Sequence, residues 1–286
     1  MTTNPHADVY DLCVIGAGAA GLNALAVARD YLPKEARVAL VDRRDAVGGM
    51  WVDTYDYVRL HQPYRMFTAA DVRWRESHSR DYLADKDQVL AHLRDCLDAC
   101  SDAYHLEKYF GYEFLSLSEE EFDDEWTAVI ELCQKDSGNA QKIRAKRCIK
   151  AFGFRVPQNP PLEFSSNKVR SISPHREVFE SAEFGTSEAP CFIVGGGKTA
   201  MDTAVNILNG NPGRQVSLLV GRGTVFLNRE KTCGPGFKRW VGGQTTLDGF
   251  LALGTLFNGE NHAEVMAFLK QNMSVQLDNS FENYFF

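Results

Sequence analysis

The chain has 286 residues, of which 44% are hydrophobic and 24% charged, so it has the composition of a globular protein with a large core and room for two domains. Its net charge of −7 argues against a broad surface for binding nucleic acid. No apolar run is long enough to span a bilayer, and the N-terminus lacks the charged-then-apolar order of a secretion signal. We therefore expect a cytoplasmic protein with neither a membrane nor a nucleic-acid partner.

The seven cysteines are an odd number, and several lie within apolar runs. This pattern is typical of buried thiols in a reducing compartment. Cys96 and Cys100 would lie one turn apart on a helix, and we interpret them as core residues rather than as a redox pair or metal ligands. No group of Cys and His has the spacing of a zinc site, so no metal is predicted.

A first glycine loop follows a predicted buried strand over residues 9–15. In its sequence GAGAAG, Gly16 permits a tight turn, Gly18 lets the backbone approach a pyrophosphate, and Gly21 lets the following helix pack closely on the strand. Ala19 and Ala20 complete the loop at the start of that helix, where the phosphates would bind. The sequence therefore predicts a dinucleotide site.

The residue expected to bind ribose is Asp42, which ends a second predicted strand over residues 37–41 and lies 21 residues after Gly21. A carboxylate there accepts hydrogen bonds from ribose hydroxyls and repels a 2′-phosphate. The alternative is a structural strand-turn-helix unit in which Asp42 is merely solvated.

The next segment, DRRDAVGGMWVDTY, carries a family resemblance. Its Asp42, Gly48-Gly49 and Trp51 resemble the acid-then-GGxW signature of the flavin-containing monooxygenases and of the related Baeyer–Villiger and N-hydroxylating enzymes. The resemblance implies that the first loop binds FAD, with Arg43 among the FAD-binding residues, and that Gly49, Met50 and Trp51 lie along the flavin. An ordinary surface turn is the alternative for the glycine pair.

In the same family an Asn near the flavin and the nicotinamide follows this segment. Here the sequence is His61-Gln62-Pro63, so the resemblance assigns that role to Gln62 or His61 as candidate catalytic residues, with Gln62 also contacting cofactor. The alternative is that both side chains only satisfy backbone groups of an irregular loop.

The middle of the chain predicts the rest of an FAD domain. Residues 83–100 read as a helix with capping-box spacing between Asp85 and Gln88, and residues 125–133 and 145–153 read as strands. The resembling families end this last, buried strand in A-T-G, where this chain has Ala151-Phe152-Gly153, and we expect a close backbone approach at Gly153.

A proline-rich stretch then predicts a crossing between domains, because Pro157, Pro160 and Pro161 exclude a regular helix or central strand. We place an FAD-binding domain over residues 1–154 and an NADPH-binding domain over residues 155–286. Phe164 and His175 do not keep the spacing of the FxGxxxH fingerprint, so Baeyer–Villiger chemistry is not supported.

A second glycine loop follows another predicted buried strand and repeats the first one. Its glycine-motif positions are Gly195, Gly197 and Ala200, with a helix beginning near Thr199 and a further strand over residues 215–220. After that strand the counterpart of Asp42 is predicted to be Arg222, which would bind a 2′-phosphate, and Lys198 is a second candidate cation. Thr199 completes the predicted NADPH site; a solvated Lys198 and a surface Arg222 are the alternatives.

These patterns predict an α/β protein with two Rossmann-like dinucleotide-binding domains, parallel sheets and a β-meander. The resemblance implies an NADPH-dependent flavoprotein monooxygenase in which a flavin C4a-(hydro)peroxide oxygenates a small nucleophile or a carbonyl, in a protein that could be a homodimer. The alternatives are a non-oxygenating NADPH–flavin reductase and a catalytically silent nucleotide-binding regulatory protein. A thioredoxin-reductase-type enzyme is disfavoured because no cysteine lies in GGMWVDTY or in the helix after the second loop.

The tail after the second loop shows no strand followed by Gly-Asp, the segment by which the resembling families return to the FAD domain. We therefore expect either that the 286 residues are part of a longer protein or that the flavin is less enclosed than in those families.

Overall fold

A computed structural model of the protein describes residues 9–153, 159–174, 182–221, 254–255 and 257–272. The described residues belong to two compact units. The first unit falls within Met1–Asp56, Phe67–His78 and Asp85–Gln158, and the second within Tyr57–Met66, Ser79–Ala84 and Asn159–Phe286. The chain therefore changes unit several times, and the single boundary after residue 154 stays a prediction.

The first unit contains eight strands and three helices among its described residues. The strands are β1 (Val9–Tyr10), β2 (Leu12–Ile15), β3 (Arg37–Asp42), β4 (His105–Phe110), β5 (Tyr112–Phe122), β6 (Glu125–Gln134), β7 (Ala140–Ala145) and β8 (Cys148–Lys150). The helices are α1 (Ala19–Ala28), α2 (Met50–Asp53) and α3 (Lys86–Ser101). The chain also forms a short 3-10 helix, Tyr64–Phe67.

The centre of this unit is a parallel sheet in the order β4-β3-β2-β8. All four residues of β2 are buried, as predicted for a strand covered on both faces. Residues of α1 contact β2, and the inward face of the second sheet contributes Ile130, Leu132 and Ile143 to one apolar cluster with Cys13 and Val41. The second sheet has the order β1-β7-β6-β5. Strands β5, β6 and β7 form the predicted β-meander, and β1 is added to it in parallel with β7.

The predicted strand over residues 9–15 is in fact two strands in two sheets. It is interrupted at Asp11, where β1 pairs with β7 while β2 pairs with β3 and β8. The carboxylate of Asp11 accepts hydrogen bonds from the backbone N–H of Arg37 and from Nζ of Lys146, each at 2.9 Å. Burial alone raises the pKa of Asp11, but these hydrogen bonds outweigh it and hold the pKa below its usual value.

Helix α3 begins as the sequence predicts. Asp85 is its N-cap and accepts from the backbone N–H of Gln88 at 3.0 Å, while the Gln88 side chain accepts from the Asp85 backbone N–H at 3.1 Å. The capping box is confirmed, and the apolar face of the helix, with Cys96 and Cys100, is buried.

The prediction of a final buried strand over residues 145–153 is wrong in its burial. Strand β8 covers only three residues and lies at the edge of the sheet in the described part of the chain, and its Ile149 is 40% exposed. An edge strand has a neighbour on one side only, and a run of apolar letters does not distinguish it from a central strand.

The second unit contains α4 (Ala182–Thr186), β9 (Cys191–Val194), α5 (Lys198–Gly210), β10 (Val216–Leu219) and α6 (His262–Asn272) within its described residues. Strands β9 and β10 pair in parallel, and α5 packs against both. The prediction that β9 is buried on both faces is wrong, since Phe192 and Val194 are 63% and 66% exposed. Among described residues, no helix is both long and apolar enough to cross a membrane.

Candidate functional site

The first glycine loop joins β2 to α1, and two of its glycines, Gly16 and Gly21, are sterically required. The backbone of Gly16 has φ +116°, and a Cβ there would lie 2.4 Å from the carbonyl oxygen of Ala151, the residue that follows β8. Gly21, in the first turn of α1, faces the carbonyl of Gly16. The backbone N–H of Gly16 donates to the carbonyl of Val41 at 2.7 Å, which ties the loop to the end of β3.

The start of α1 has the features of an anion site. Gly18 is the N-cap and makes no side-chain cap, and the first turn has no acidic residue. Gly18 and Ala19 are half-buried and Ala20 is exposed. A helix N-terminus with uncapped N–H groups favours a phosphate through both hydrogen bonding and the helix dipole.

The glycine pair after β3 packs directly on this loop. The backbone N–H of Gly48 donates to the carbonyl of Ala17 at 2.9 Å. Gly49 has φ +57°, and a Cβ there would lie 2.9 Å from the Cα of Gly18. The structure thus brings the two predicted glycine motifs together, with no space for a side chain on Gly49 between them.

The two residues after Gly49 begin helix α2. Met50 is 55% exposed. Trp51 is half-buried, and its ring makes an edge-to-face contact with Phe67 at 5.6 Å. Met50 therefore presents an apolar side chain to solvent beside the glycine loops.

Asp42 is 6% exposed and is fixed by two backbone donors. Its Oδ2 accepts from the N–H of Ala17 at 2.7 Å, and its Oδ1 accepts from the N–H of Arg44 at 2.9 Å. An ionised carboxylate has about four acceptor positions, so two are left for a ribose. Asp42 is not merely solvated, because it holds the glycine loop in place, and its contact with ribose stays a prediction.

A charged cleft lies beside the end of β3. It is lined by Arg43, Arg44, Asp53, Glu113 and Lys135. Arg44 is bound by its Nε to Asp53 at 2.8 Å and lies 3.7 Å from Asp42, so much of its charge is compensated. Arg43, the predicted FAD-binding residue, thus lies in a cleft of mixed charge.

Gly153, where a close backbone approach is predicted, ends the described part of this segment. Among the described residues, no atom apart from those of its chain neighbours lies within 4 Å of a Cβ built at Gly153, and the requirement for glycine comes from its φ of +57°. Phe152, which replaces the family's Thr, is 56% exposed and stacks on Phe114 at 5.8 Å. The role of Gly153 in binding a cofactor stays a prediction.

The second glycine loop has the same geometry as the first. Gly195 has φ +136°, and its N–H donates to the carbonyl of Leu219 at 3.0 Å, as Gly16 does to Val41. Gly197 is the N-cap of α5, again without a side-chain cap. Ala200 is buried at the place of Gly21, where a Cβ on Gly195 would lie 3.7 Å from it.

The strand register corrects the predicted counterpart of Asp42. Val194 pairs with Leu219 as Ile15 pairs with Val41, so the residue after Leu219, Val220, occupies the place of Asp42. Val220 comes directly after β10, whereas the predicted Arg222 comes two residues later. Arg222 lies outside the described residues.

Lys198 is engaged within its own helix. Its ammonium group binds the carboxylate of Asp202 one turn later, and the Asp202 side chain is only 7% exposed. Thr199 is exposed. The structure therefore gives Lys198 an acidic partner, which the sequence reading did not consider.

The segment with His61 and Gln62 belongs to the same compact unit as the second glycine loop. The hydroxyl of Tyr57 hydrogen-bonds to Oγ1 of Thr203 on α5 at 2.8 Å, which attaches this segment to the helix. His61 is exposed and Gln62 half-buried, while Pro63 and Tyr64 are buried. His61 and Gln62 thus directly precede a buried anchor, which consists of Pro63 and Tyr64.

A family model described as pyridine nucleotide-disulphide oxidoreductase matches residues 10–240. The chain belongs to this family. No curated protein matches the sequence.

Solved structures share the fold of this family member at low identity. A flavin-containing monooxygenase from Stenotrophomonas maltophilia has a TM-score of 0.53 and 17% identity over 85% of this chain and 68% of that one. An ornithine N-hydroxylase from Kutzneria sp. 744, whose structure contains reduced FAD, NADP+ and L-ornithine, has a TM-score of 0.57 and 15% identity over 96% of this chain and 66% of that one. A steroid monooxygenase bound to NADP has a TM-score of 0.53 and 18% identity over 82% of this chain and 44% of that one.

The chain spans 60% of a mutant Stenotrophomonas flavin monooxygenase and 44% of the steroid monooxygenase, so it matches part of these proteins.

The predicted fold class is confirmed as the two-loop α/β fold of the pyridine nucleotide-disulphide oxidoreductase family. Three relationships could not be read from the sequence: the bond from Ala17 to Asp42, the place of Val220, and the attachment of Tyr57 to Thr203. Each depends on residues that are distant in sequence and that only the folded chain brings together.

Proposed function

We propose that the protein is an FAD- and NADPH-dependent monooxygenase acting on a small molecule in the cytoplasm. The observation that carries this proposal is the repetition of one loop geometry at Gly16 and Gly195, each tied by its N–H to the end of the neighbouring parallel strand. Two such loops provide sites for two dinucleotides. The fold shared with flavin-containing monooxygenases supports the pairing of FAD with NADPH.

The first loop fits FAD. A pyrophosphate needs a close backbone approach and uncapped N–H groups, and Gly18 at the start of α1 supplies both. Asp42 keeps two acceptor positions for ribose hydroxyls and disfavours a phosphorylated ribose. We assign Gly18, Ala19 and Ala20, at the uncapped start of α1, to the pyrophosphate, and Gly49 with Trp51 to the side of the cofactor next to the loop.

The second loop fits NADPH. Val220 stands where the first unit has Asp42, so the repulsion that a carboxylate would exert on a 2′-phosphate is absent at this place. Lys198 and Arg222 are the cations that we assign to phosphate groups. The ammonium group of Lys198 would bind a phosphate and the Asp202 carboxylate at the same time. Gly197 supplies the uncapped helix start.

Bound FAD supplies hydride acceptance from NADPH and, once reduced, the activation of oxygen. The chain's own residues bind and orient the two coenzymes and exclude water. We assign to Gln62, with His61, the positioning of the reacting rings through the amide and imidazole groups. The substrate is a soft nucleophile or a carbonyl compound, and no acid–base dyad is needed for it.

The test is the absorption spectrum of the purified protein with FAD, recorded before and after NADPH, first without oxygen and then with it. The proposal expects flavin bleaching without oxygen, followed by NADPH consumption and reoxidation when oxygen is admitted. Anaerobic bleaching without any oxygenated product from a panel of amines, sulfides and ketones would instead identify a reductase. A bound flavin that NADPH does not bleach would identify a silent nucleotide-binding protein.

A further inference from the structure

Two cysteines that are 135 residues apart in sequence face each other in the central sheet. Strands β2 and β8 are parallel neighbours, and Cys13 is the register partner of Cys148. Register partners on parallel strands point to the same face, and both residues contribute to the cluster between the two sheets of the first unit. The pair was missed in the sequence because neither cysteine lies in a recognisable motif.

The two thiols interact and have different surroundings. Cys13 is fully buried, whereas Cys148 is half-buried in the edge strand. The hydrogen bond between the two sulfurs, together with burial, raises the pKa of Cys13. The same hydrogen bond lowers the pKa of Cys148 against the opposing effect of burial, and Lys150 lowers it further. Cys148 is the less buried of the two sulfurs as well as the one whose pKa is lowered, so it is the sulfur that reacts first with an oxidant from solvent.

We propose that Cys13 and Cys148 form a peroxide-sensitive redox pair that closes to a disulfide bond across β2 and β8. The Cys148 thiolate attacks one oxygen of hydrogen peroxide, which breaks the O–O bond and gives a sulfenic acid and hydroxide. The Cys13 sulfur then attacks the sulfenic sulfur, forming the S–S bond as hydroxide leaves. The Cys13 proton and one further proton complete two waters, so two thiols are oxidised and one peroxide is reduced.

The strand geometry allows this bond and makes it reversible. Parallel neighbours lie about 4.8 Å apart, within the range of Cα separations that disulfides bridge. Side chains of register partners project side by side at about the same spacing, whereas the Cβ atoms of an unstrained disulfide lie about 3.8 Å apart, so closing the bond must draw the strands together slightly. Strained disulfides are more easily reduced than structural ones, and such bonds in a reducing compartment are typically transient.

The bond would act on the first glycine loop. Three residues after each cysteine, Gly16 and Ala151 meet, with the N–H of Ala151 donating to the carbonyl of Ile15 at 2.7 Å. A Cβ on Gly16 would lie 2.4 Å from the Ala151 carbonyl oxygen, so no free space separates the strands at this level. Drawing β2 and β8 together must therefore shift the loop.

The experiment is a titration of the full chain without added flavin with hydrogen peroxide, followed by alkylation, thiol counting and non-reducing peptide mapping. Of the seven cysteines, the two in the bond should resist alkylation, so we expect five thiols per chain. The peptides of Cys13 and Cys148 should be linked. Dithiothreitol should restore seven. Hydrogen exchange of the amides of residues 16–21 should be faster in the oxidised protein.

Matched variants decide the assignment. Cys148→Ser, at a half-buried edge position, should fold and give no linked peptide, while Cys133→Ser, a half-buried thiol of β6, should leave the link unchanged. Sulfinic acid at Cys148 without a link, a link between Cys96 and Cys100, or a link with unchanged exchange at residues 16–21 would each overturn the proposal.

Discussion

A Cβ atom added to Gly21 would lie 1.8 Å from the carbonyl oxygen of Gly16. The contact is with the backbone of the loop, which is itself held by the N–H of Gly16 on Val41, so neither partner can move aside alone. The glycine is therefore needed for the helix to pack on its strand, before any coenzyme is bound.

Gly21→Ala is expected to destabilise the first unit by at least about 3 kcal/mol, at the upper end for overpacked sites. Urea unfolding followed by circular dichroism measures the change. Gly197→Ala is the control, because no described atom beyond its chain neighbours lies within 4 Å of its Cβ position, and it should leave the free energy of unfolding nearly unchanged. Equal stability of the Gly21→Ala protein and the parent would contradict the steric argument.

Gly18→Ala should separate folding from coenzyme binding. Gly18 has φ −90°, which any residue adopts, and its Cβ would lie 3.4 Å from the Cα of Gly49, an ordinary contact. The fold should therefore persist, while the added methyl group occupies space that a pyrophosphate needs. We expect FAD affinity to fall at least about tenfold, or 1.4 kcal/mol, in a fluorescence titration with an unchanged unfolding midpoint. Undiminished affinity would place the FAD pyrophosphate elsewhere.

The sequence predicted those features that are encoded within a short stretch. Each glycine loop and the Asp85–Gln88 capping box lies within six residues, and local sterics or local hydrogen bonds decide them. The break at Asp11 was not predictable, since it depends on Arg37 and Lys146, which the sheet brings to it. Val220 was missed for a related reason: the predicted strand ended at residue 220, whereas the pairing of β9 with β10 ends at Leu219 and sets the register.

Asp42→Asn should destabilise the first unit, because an amide offers one acceptor and one donor where the structure has two N–H groups pointing at two oxygens. One N–H, of Ala17 or Arg44, then loses its partner at a buried site, which costs about 1–3 kcal/mol. Asp53→Asn is the control, since Asp53 is half-exposed and its pair with Arg44 is worth about 0–1 kcal/mol. Thermal unfolding of both variants would contradict the interpretation if the two shifts were equal.

Lys198→Gln tests whether this lysine serves the fold or the phosphate. Its removal leaves the buried Asp202 carboxylate without its ammonium partner, so we expect a loss of stability of about 1–3 kcal/mol. Adding Asp202→Asn should recover most of that loss. Because Asp202 already compensates the charge, NADPH affinity should fall by less than about tenfold, or 1.4 kcal/mol. A larger loss of affinity at unchanged stability would assign Lys198 mainly to the coenzyme.

His92 on α3 should make the stability of the first unit depend on pH. It is 1% exposed, its Nε2 accepts from the backbone N–H of Ala69 at 3.0 Å, and its ring stacks on Trp74 at 4.2 Å. Burial lowers the pKa of His92 below its ordinary 6.5, although Asp95 opposes the shift. Protonation would also place an N–H against the N–H of Ala69, so the folded state disfavours the charged ring.

The stability contributed by neutral His92 is complete above pH 6.5, the ordinary value reached in the unfolded chain, and is lost as the pH falls below it. The loss continues until the lowered pKa of the folded state is reached and amounts to about 1.4 kcal/mol for each unit between the two values. His92→Gln keeps an acceptor for Ala69 and does not titrate, so urea unfolding between neutral pH and pH 5 should show a shallower decline than in the parent. His105→Gln, at an exposed position of β4, should keep the parental decline. If the stability of His92→Gln declines with pH as steeply as that of His105→Gln, removing the buried imidazole has no effect on the pH dependence. A titrating group outside the contact between α3 and Ala69 would then be responsible.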